Sequence, residues 1–430
     1  MSYKPTCLIS APVATRSGYG ARSRDIARAI INMDRYNVTI QPLSWGATAQ
    51  NALVEDDPKD KMIIDRLVPA QDIKPGSIDL HIHIVTPAEF VPFGKYNIGI
   101  TAGLECTIVP MSWIEGMNKM DLILASSNFS AEVLRATQYT HKETNQIVKT
   151  TTPVDVIFEG ADLDTYKLTN LCSKTLNDTM SQIKEDWNFL FCGHWLQGPI
   201  GHDRKDVGVL IREFMINYKA SQGIGLILKT SGATTSVMDR ENILEKIKDI
   251  RSQAKQMNDD LPNVYLLHAD LFDSEVNELY NHPKVKAHIT YTHGEGFGRP
   301  LLEASLSEKP VIAPAWSGHT DFLHNKHSVL LPGGLIDVHP DSLQEGIKCD
   351  GQQWFAVDHN KARPMIFDVK RNYRKYKLKA RKLAKINRQK FSFNAMQTKL
   401  SSILTANVPK FTQTVEAKLP TLKLPKLEKV

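Results

Sequence analysis

Short apolar runs separated by amphipathic stretches recur along the whole chain. CLISAP, VTIQPL, the alternating IDLHIHIV, YNIGITA, MDLILASS and VDVIFEGADL come first, and NFLFCGHW, IGLILKT, NVYLLHAD, AHITYT, PVIAPA and SVLLPGG follow. Bounded runs of this kind read as strands. Between them, helical spacing places Ile26, Ala29 and Ile30 on one face of a helix beginning near Ala21, and further helices are expected from Asp206, Asp239, Ser274 and Leu301. Alternating strands and helices predict doubly wound, mainly parallel sheets, which bind ligands at the carboxyl ends of their strands. The polar stretch Lys174 to Glu185 carries no strong core pattern and reads as the boundary between two such units.

Length agrees with this division, since 430 residues exceed what one core usually serves. The expected organisation is one Rossmann-like domain over 1–180, a second over 181–385, a further helix over 386–405 and a flexible Pro/Lys-rich tail over 406–430. Hydrophobic residues at 42% and charged residues at 23% are ordinary for a soluble globular protein. No apolar run is long enough for a transmembrane segment, and the opening Met-Ser-Tyr-Lys-Pro does not read as a signal peptide. Cys7, Cys106, Cys172, Cys192 and Cys349 are scattered without a C-x-x-C pair, which fits a reducing cytoplasm. The net charge of +6 is local: residues 361–390 hold 13 Lys or Arg against the single acid Asp368, leaving the remainder net negative.

Candidate chemistry concentrates in AHITYTHGEGFGRPLLEASLSEKPVIAPAWSGHTDFL, where Glu295 and Glu303 flank Gly296-Phe297-Gly298. A strand around Ala287 to Thr292, an exit loop over Gly294 to Pro300 and a helix over Leu301 to Ser307 would bring both acids to one crevice. Pro300 suits the first helical turn. One acid can bind sugar hydroxyls and the other ribose hydroxyls. The intervening Gly-Phe-Gly permits close backbone approach to a ligand, and the helix N-terminus offers N–H groups to a diphosphate.

These residues, E-G-F-G-R-P-L-L-E-A followed by K-P-V-I-A-P and S-G-H-T-D-F-L, resemble the E-x7-E motif of retaining GT-B glycosyltransferases of the family 4-like type. The resemblance implies an α/β GT-B fold: two Rossmann-like doubly wound domains facing a central cleft, with C-terminal helices crossing back to the first. It assigns Glu295 to the donor sugar, Glu303 to the ribose, and the Ser317 to Asp321 loop, with Ser317 and Gly318, to the far side of the donor pocket. Arg204 and Lys205 become catalytic candidates for neutralising the diphosphate. His194 stands where the family usually has an arginine, and the loop here is longer than usual. Gly18 and Gly20 match a glycine-bearing loop that reaches toward the diphosphate, and Lys229 is a further phosphate candidate. Glu105, in an E-x4-P-x2-W context with Pro110 and Trp113, is expected either to orient acceptor or donor sugar, or to cap a helix or pair with a nearby arginine; Pro110 and Trp113 are expected to pack the domain. His81 and His83 share a strand face but have no third ligand at sensible spacing, so no metal is expected there. No cofactor is expected beyond a nucleotide-sugar substrate, with a UDP-sugar the expected donor. The implied chemistry is front-face transfer without a protein nucleophile.

Blocks such as GHWLQGPIGHDRKDVGVLIREF are similar to glycosyltransferases of large tailed bacteriophages. That similarity points to a hydroxymethylated base in DNA, such as 5-hydroxymethylcytosine, as acceptor, with Lys361 to Lys390 meeting the phosphate backbone, and to the host cytoplasm as the location. Other readings stay open: a lysine-rich solvated face on closing helices, a cell-surface or lipid-linked glycan acceptor with peripheral membrane contact, a catalytically silent GT-B sugar-nucleotide-binding protein, or a sugar-nucleotide epimerase.

Overall fold

The computed structural model describes residues 3–412 apart from 47, 75, 142, 196–197, 233–234 and 343–348. The first sheet contains β1 (Thr6–Ala11), β2 (Asn37–Pro42), β3 (Leu80–Ile84), β4 (Tyr96–Thr101) and β5 (Leu122–Ala125). A small hairpin, β6 (Gln138–Thr140) and β7 (Ile147–Lys149), precedes its last strand, β8 (Val154–Val156). Their order is β2-β1-β3-β4-β5-β8, with every neighbour parallel.

The second sheet is built from β9 (Trp187–Cys192), β10 (Ile224–Lys229), β11 (Asn263–Leu267), β12 (Val285–Ile289), β13 (Val311–Pro314) and β14 (Val329–Leu331). The order β11-β10-β9-β12-β13-β14, again all parallel, is a doubly wound arrangement whose winding reverses between β9 and β12. An antiparallel pair, β15 (Gly333–Asp337) and β16 (Gln353–Val357), follows.

Helices connecting parallel strands must cover the sheet faces, so central strands bury both sides. All five residues of β3 are buried, including His81 and His83, although the alternation in IDLHIHIV suggests one wetter face. His81 Nε2 lies 3.0 Å from Ser10 Oγ, and His83 Nδ1 accepts from the Val91 amide at 3.2 Å. Burial pushes both imidazoles down, to about 3 and about 4, so both are neutral packing groups near pH 7.

Several boundaries differ from the sequence pattern. Lys174–Ser181 is a helix: Ser173 caps it by accepting from the Leu176 amide, and Leu176 and Met180 are buried. Two apolar residues one turn apart are too few to reveal a helix by periodicity. The helix expected near Ala21 begins at Gly18, capped by Ser17, and the one expected over 301–307 spans Arg299–Ser305.

Three helices, His359–Arg371, Tyr373–Lys390 and Phe393–Asn407, end the described chain. The last lies against the helix Gly18–Asn32 of the first domain. Asn32 donates to Gln397, Arg35 donates to Ser401 and Thr405, and a bridge joins Ala161 to Ser392. The chain therefore returns to its first domain. The tail expected to be loose from Ala406 starts inside this helix, and Val408 and Phe411 rest on the core; 413–430 lie outside the described residues. Among the described residues, no helix is long and apolar enough to cross a membrane.

Leu400, fully buried in the crossing helix, tests how much this return stabilises the molecule. Leu400→Ala is expected to lower stability by about 2–5 kcal/mol, read as a lower thermal unfolding midpoint; an unchanged midpoint would show that the crossing contact contributes little.

Candidate functional site

The reversal between β9 and β12 opens a crevice at their carboxyl ends, and the loops leaving these two strands carry the predicted charges. Asp203 shapes the first loop: its carboxylate accepts from the amides of Lys205 and Val207, both at 3.2 Å, fixing the turn into the helix Val207–Asn217. The second loop grips the first, because the His293 amide and Thr292 Oγ1 both donate to Arg204 O, at 2.8 and 3.2 Å. The helix expected from Asp206 starts at Val207, and Asp206 before it adopts left-handed backbone (φ 51°) without a side-chain capping bond.

Arg204, Lys205 and Glu295 thereby meet, and Glu105 joins them from the first domain. Lys205 Nζ donates to Glu295 Oε1 at 2.5 Å, Arg204 Nη1 lies 3.3 Å from Glu295 Oε2, and Arg204 Nε pairs with Glu105 Oε1. The result is an alternating row, Glu105–Arg204–Glu295–Lys205, spanning the two domains. Among the expectations for Glu105, the pairing with a nearby arginine is present. Burial opposes ionisation of Glu295, but Lys205 and Arg204 outweigh it and hold its carboxyl at about 2. Burial also pushes the Lys205 ammonium down despite Glu295.

The glycine turn between the acids makes its close approach to protein. Gly296 O accepts from Ser126, Ser127 and Ser130 hydroxyls of the first domain at 3.0, 2.6 and 3.2 Å, and a Cβ at Gly296 would overlap Ala102 O. Gly298, at φ 93°, needs its glycine for the left-handed entry into the next helix. Phe297 corrects the expectation of a ligand-facing residue: it is 2% exposed and packs on Phe322 and Phe391. Ser317 and Gly318 lie beside Glu295, with Glu295 N donating to Ser317 Oγ and Gly318 N donating to Glu295 O, each at 2.9 Å.

Glu303 is separated from that row and engages Arg299, whose Nε donates to it at 2.8 Å while Nη1 reaches Asp25 of the first domain at 2.5 Å. Burial pushes the Glu303 carboxyl up to about 8, with Arg299 opposing and Asp273 adding to the rise. Sequence reading missed this bridge. Arg299 and Asp25 are 274 positions apart, and Asp25 sits beside the apolar stripe of its helix with no spacing that marks a partner.

A cleft of about 570 Å³ lies between the domains, lined by Arg16, Gly18, His194, Lys229, Asp270 and Asp273 among others. Arg16 spans it to Asp270 at 3.2 Å. His194, Nδ1 3.3 Å from Ser231 Oγ, is pushed down by burial and then by the nearby Lys205, Lys229 and Arg204 charges. His194 thus stands among the Lys205, Lys229 and Arg204 charges, and it and Lys229 line the cleft. Gly18 is open on its Cβ side, whereas Gly20 is not a cleft residue: a Cβ there would strike Thr15 and Pro12 of its own loop.

No protein-family model matches the chain, and no curated protein matches it. Solved structures do. HepE from Anabaena, in complex with UDP and glucose, superposes over 94% of this chain and 100% of its own at a TM-score of 0.61 and 13% identity. Sucrose-phosphate synthase from Thermosynechococcus elongatus gives 0.62 and 13% over 94% and 99%. A glycosyltransferase from Rickettsia africae gives 0.57 and 16% over 94% and 98%. Together with the two sheets, the intervening cleft and the returning helix, these superpositions show that the chain has the GT-B fold.

Proposed function

We propose that this chain is a retaining glycosyltransferase that takes its sugar from a UDP-sugar. The observation that carries the reading is the pairing of Arg204 and Lys205 with Glu295 at the strand reversal, beside a cleft lined by His194, Lys229 and Gly18. Such a basic wall suits a diphosphate, and an ionised carboxylate among the cations suits a sugar whose ring gains positive charge. The neighbour HepE holding UDP and glucose supports a nucleotide-sugar in this fold.

Glu105 and Glu295 pair with Arg204 and Lys205. A donor diphosphate would take over Arg204 and Lys205, leaving Glu295 to the sugar. The bond from the anomeric carbon to the β-phosphate oxygen breaks, the acceptor hydroxyl oxygen bonds the same carbon from the same face, and its proton passes to the leaving phosphate. Glu303, whose carboxyl burial pushes up against the pull of Arg299, is the candidate partner of the ribose hydroxyls.

For the acceptor, the proposal takes duplex DNA carrying hydroxymethylated bases. In its favour is the exposed row Arg374, Lys375, Arg381, Lys382, Lys385 and Lys390 on the helix Tyr373–Lys390, whose other side buries Ala380, Leu383 and Ala384. Tyr373 and Tyr376 are held by hydrogen bonds to Lys286 O and Asp368, so this surface offers charge rather than stacking.

Turnover of UDP-glucose and other UDP-sugars should fall by about 10²–10³-fold in Glu295→Ala and in Lys205→Ala; wild-type rates in both would overturn the assignment. Glu295 also makes an acid-side stability prediction. Its folded pKa of about 2 lies below the ordinary 4.5, so its contribution is present above pH 4.5 and lost as pH falls through 2. Glu295→Gln should therefore lower stability near neutral pH by about 3–5 kcal/mol, with the wild-type and variant unfolding curves converging in acid. Binding to hydroxymethylcytosine-containing duplex should weaken linearly on a log–log salt plot, with a shallower slope in Arg381→Ala/Lys382→Ala/Lys385→Ala. Sugar transfer to glycans with no labelling of DNA would move the acceptor to that class.

A further inference from the structure

Two residues before Arg204, His202 meets two side chains that follow β15, His339 and Asp341. The imidazoles of His202 and His339 stack with centroids 3.6 Å apart and planes 16° from parallel. Nδ1 of each ring lies 3.4 Å from the same oxygen, Asp341 Oδ2. Candidate ligand atoms of all three residues fall within 4.8 Å of one another. His202 Nδ1 is shielded from solvent yet makes no hydrogen bond, and His339 Nδ1 accepts a long, 3.2 Å bond from the Asp341 amide.

We propose that His202, His339 and Asp341 form a binding site for a zinc-class divalent cation, separate from the donor cluster. A tetrahedral ion with ligands at about 2.0–2.1 Å holds its ligand atoms about 3.3 Å apart, close to the two N···O spacings of 3.4 Å; the stacked rings must turn apart for both in-plane Nδ1 lone pairs to meet one ion. Two imidazole nitrogens with one carboxylate oxygen suit zinc, cobalt, nickel or copper, whereas calcium and magnesium favour oxygen sets. The side chains are 27%, 45% and 53% exposed, so a fourth position is open to water. The neighbouring contacts give the site a consequence. Ser342 Oγ donates to His202 O, and Arg204 O is gripped by Thr292 and His293. A bound ion would therefore clamp the start of the Arg204 loop to the turn after β15.

The test uses full-length, tag-free protein stripped with EDTA and titrated with zinc chloride against a chromophoric chelator, with cobalt chloride as a spectroscopic probe. One equivalent per chain with micromolar or tighter affinity is expected, with visible cobalt bands of a low-coordinate site. His202→Ala, His339→Ala and Asp341→Asn should each weaken binding at least tenfold. Zinc should raise the thermal midpoint of wild type but not of Asp341→Asn. Circular dichroism of the three variants checks that they are folded, and three independent ligands keep the test alive if one fails to fold. Absence of saturable binding up to about 100 µM, an affinity corresponding to only about 5 kcal/mol, would overturn the site, as would a full equivalent retained at wild-type affinity by every folded variant.

Discussion

The alternating row Glu105–Arg204–Glu295–Lys205 is the constraint on which the arrangement of the two domains depends. Burying any one of these charges alone would be costly, because removing water from an ion is repaid only by close opposite charges. Each cation here has an acid and each acid a cation, so the row satisfies itself without solvent. It also crosses the domain boundary at the place where the second sheet reverses direction.

Close backbone packing reinforces the row. Gly296 O collects three serine hydroxyls, and a side chain at Gly296 or Gly318 would collide with backbone carbonyls. A second crossing lies deeper, where Arg299 joins Glu303 to Asp25. Both crossings attach to the stretch between β12 and the helix Arg299–Ser305, so a single loop mediates strand exit, charge pairing and interdomain contact. The returning helix Phe393–Asn407 adds a third, mostly apolar, attachment through Leu400, Met396 and Leu404.

The basic helix Tyr373–Lys390 illustrates how one pattern serves two ends. Ala380, Leu383 and Ala384 face the protein, Asn387 donates to Ser305 and Arg388 pairs with Glu308, while Lys382 and Lys385 remain in solvent. Its apolar stripe explains the packing. Its charge excess exceeds anything the packing requires, because the pairs formed with Asp368 and Glu308 leave most of the cations unmatched among the described residues.

The sequence by itself determined the strands, most of the helices and the neighbourhood of Glu295. Apolar runs such as IGLILK must be covered on both faces, and residues close in sequence, such as Glu295 and Gly298, keep their relation whatever surrounds them. Only the tertiary structure decided which charges meet. The partnerships Arg204–Glu105 and Arg299–Asp25, and the gathering of His202 with His339 and Asp341, join segments far apart in the chain. It also decided that Phe297 and Gly20 pack inward while Gly18 stays open. Periodicity reports local burial, but an ion pair is strong only when its charges stand within a few ångström, and the fold alone brings such groups together.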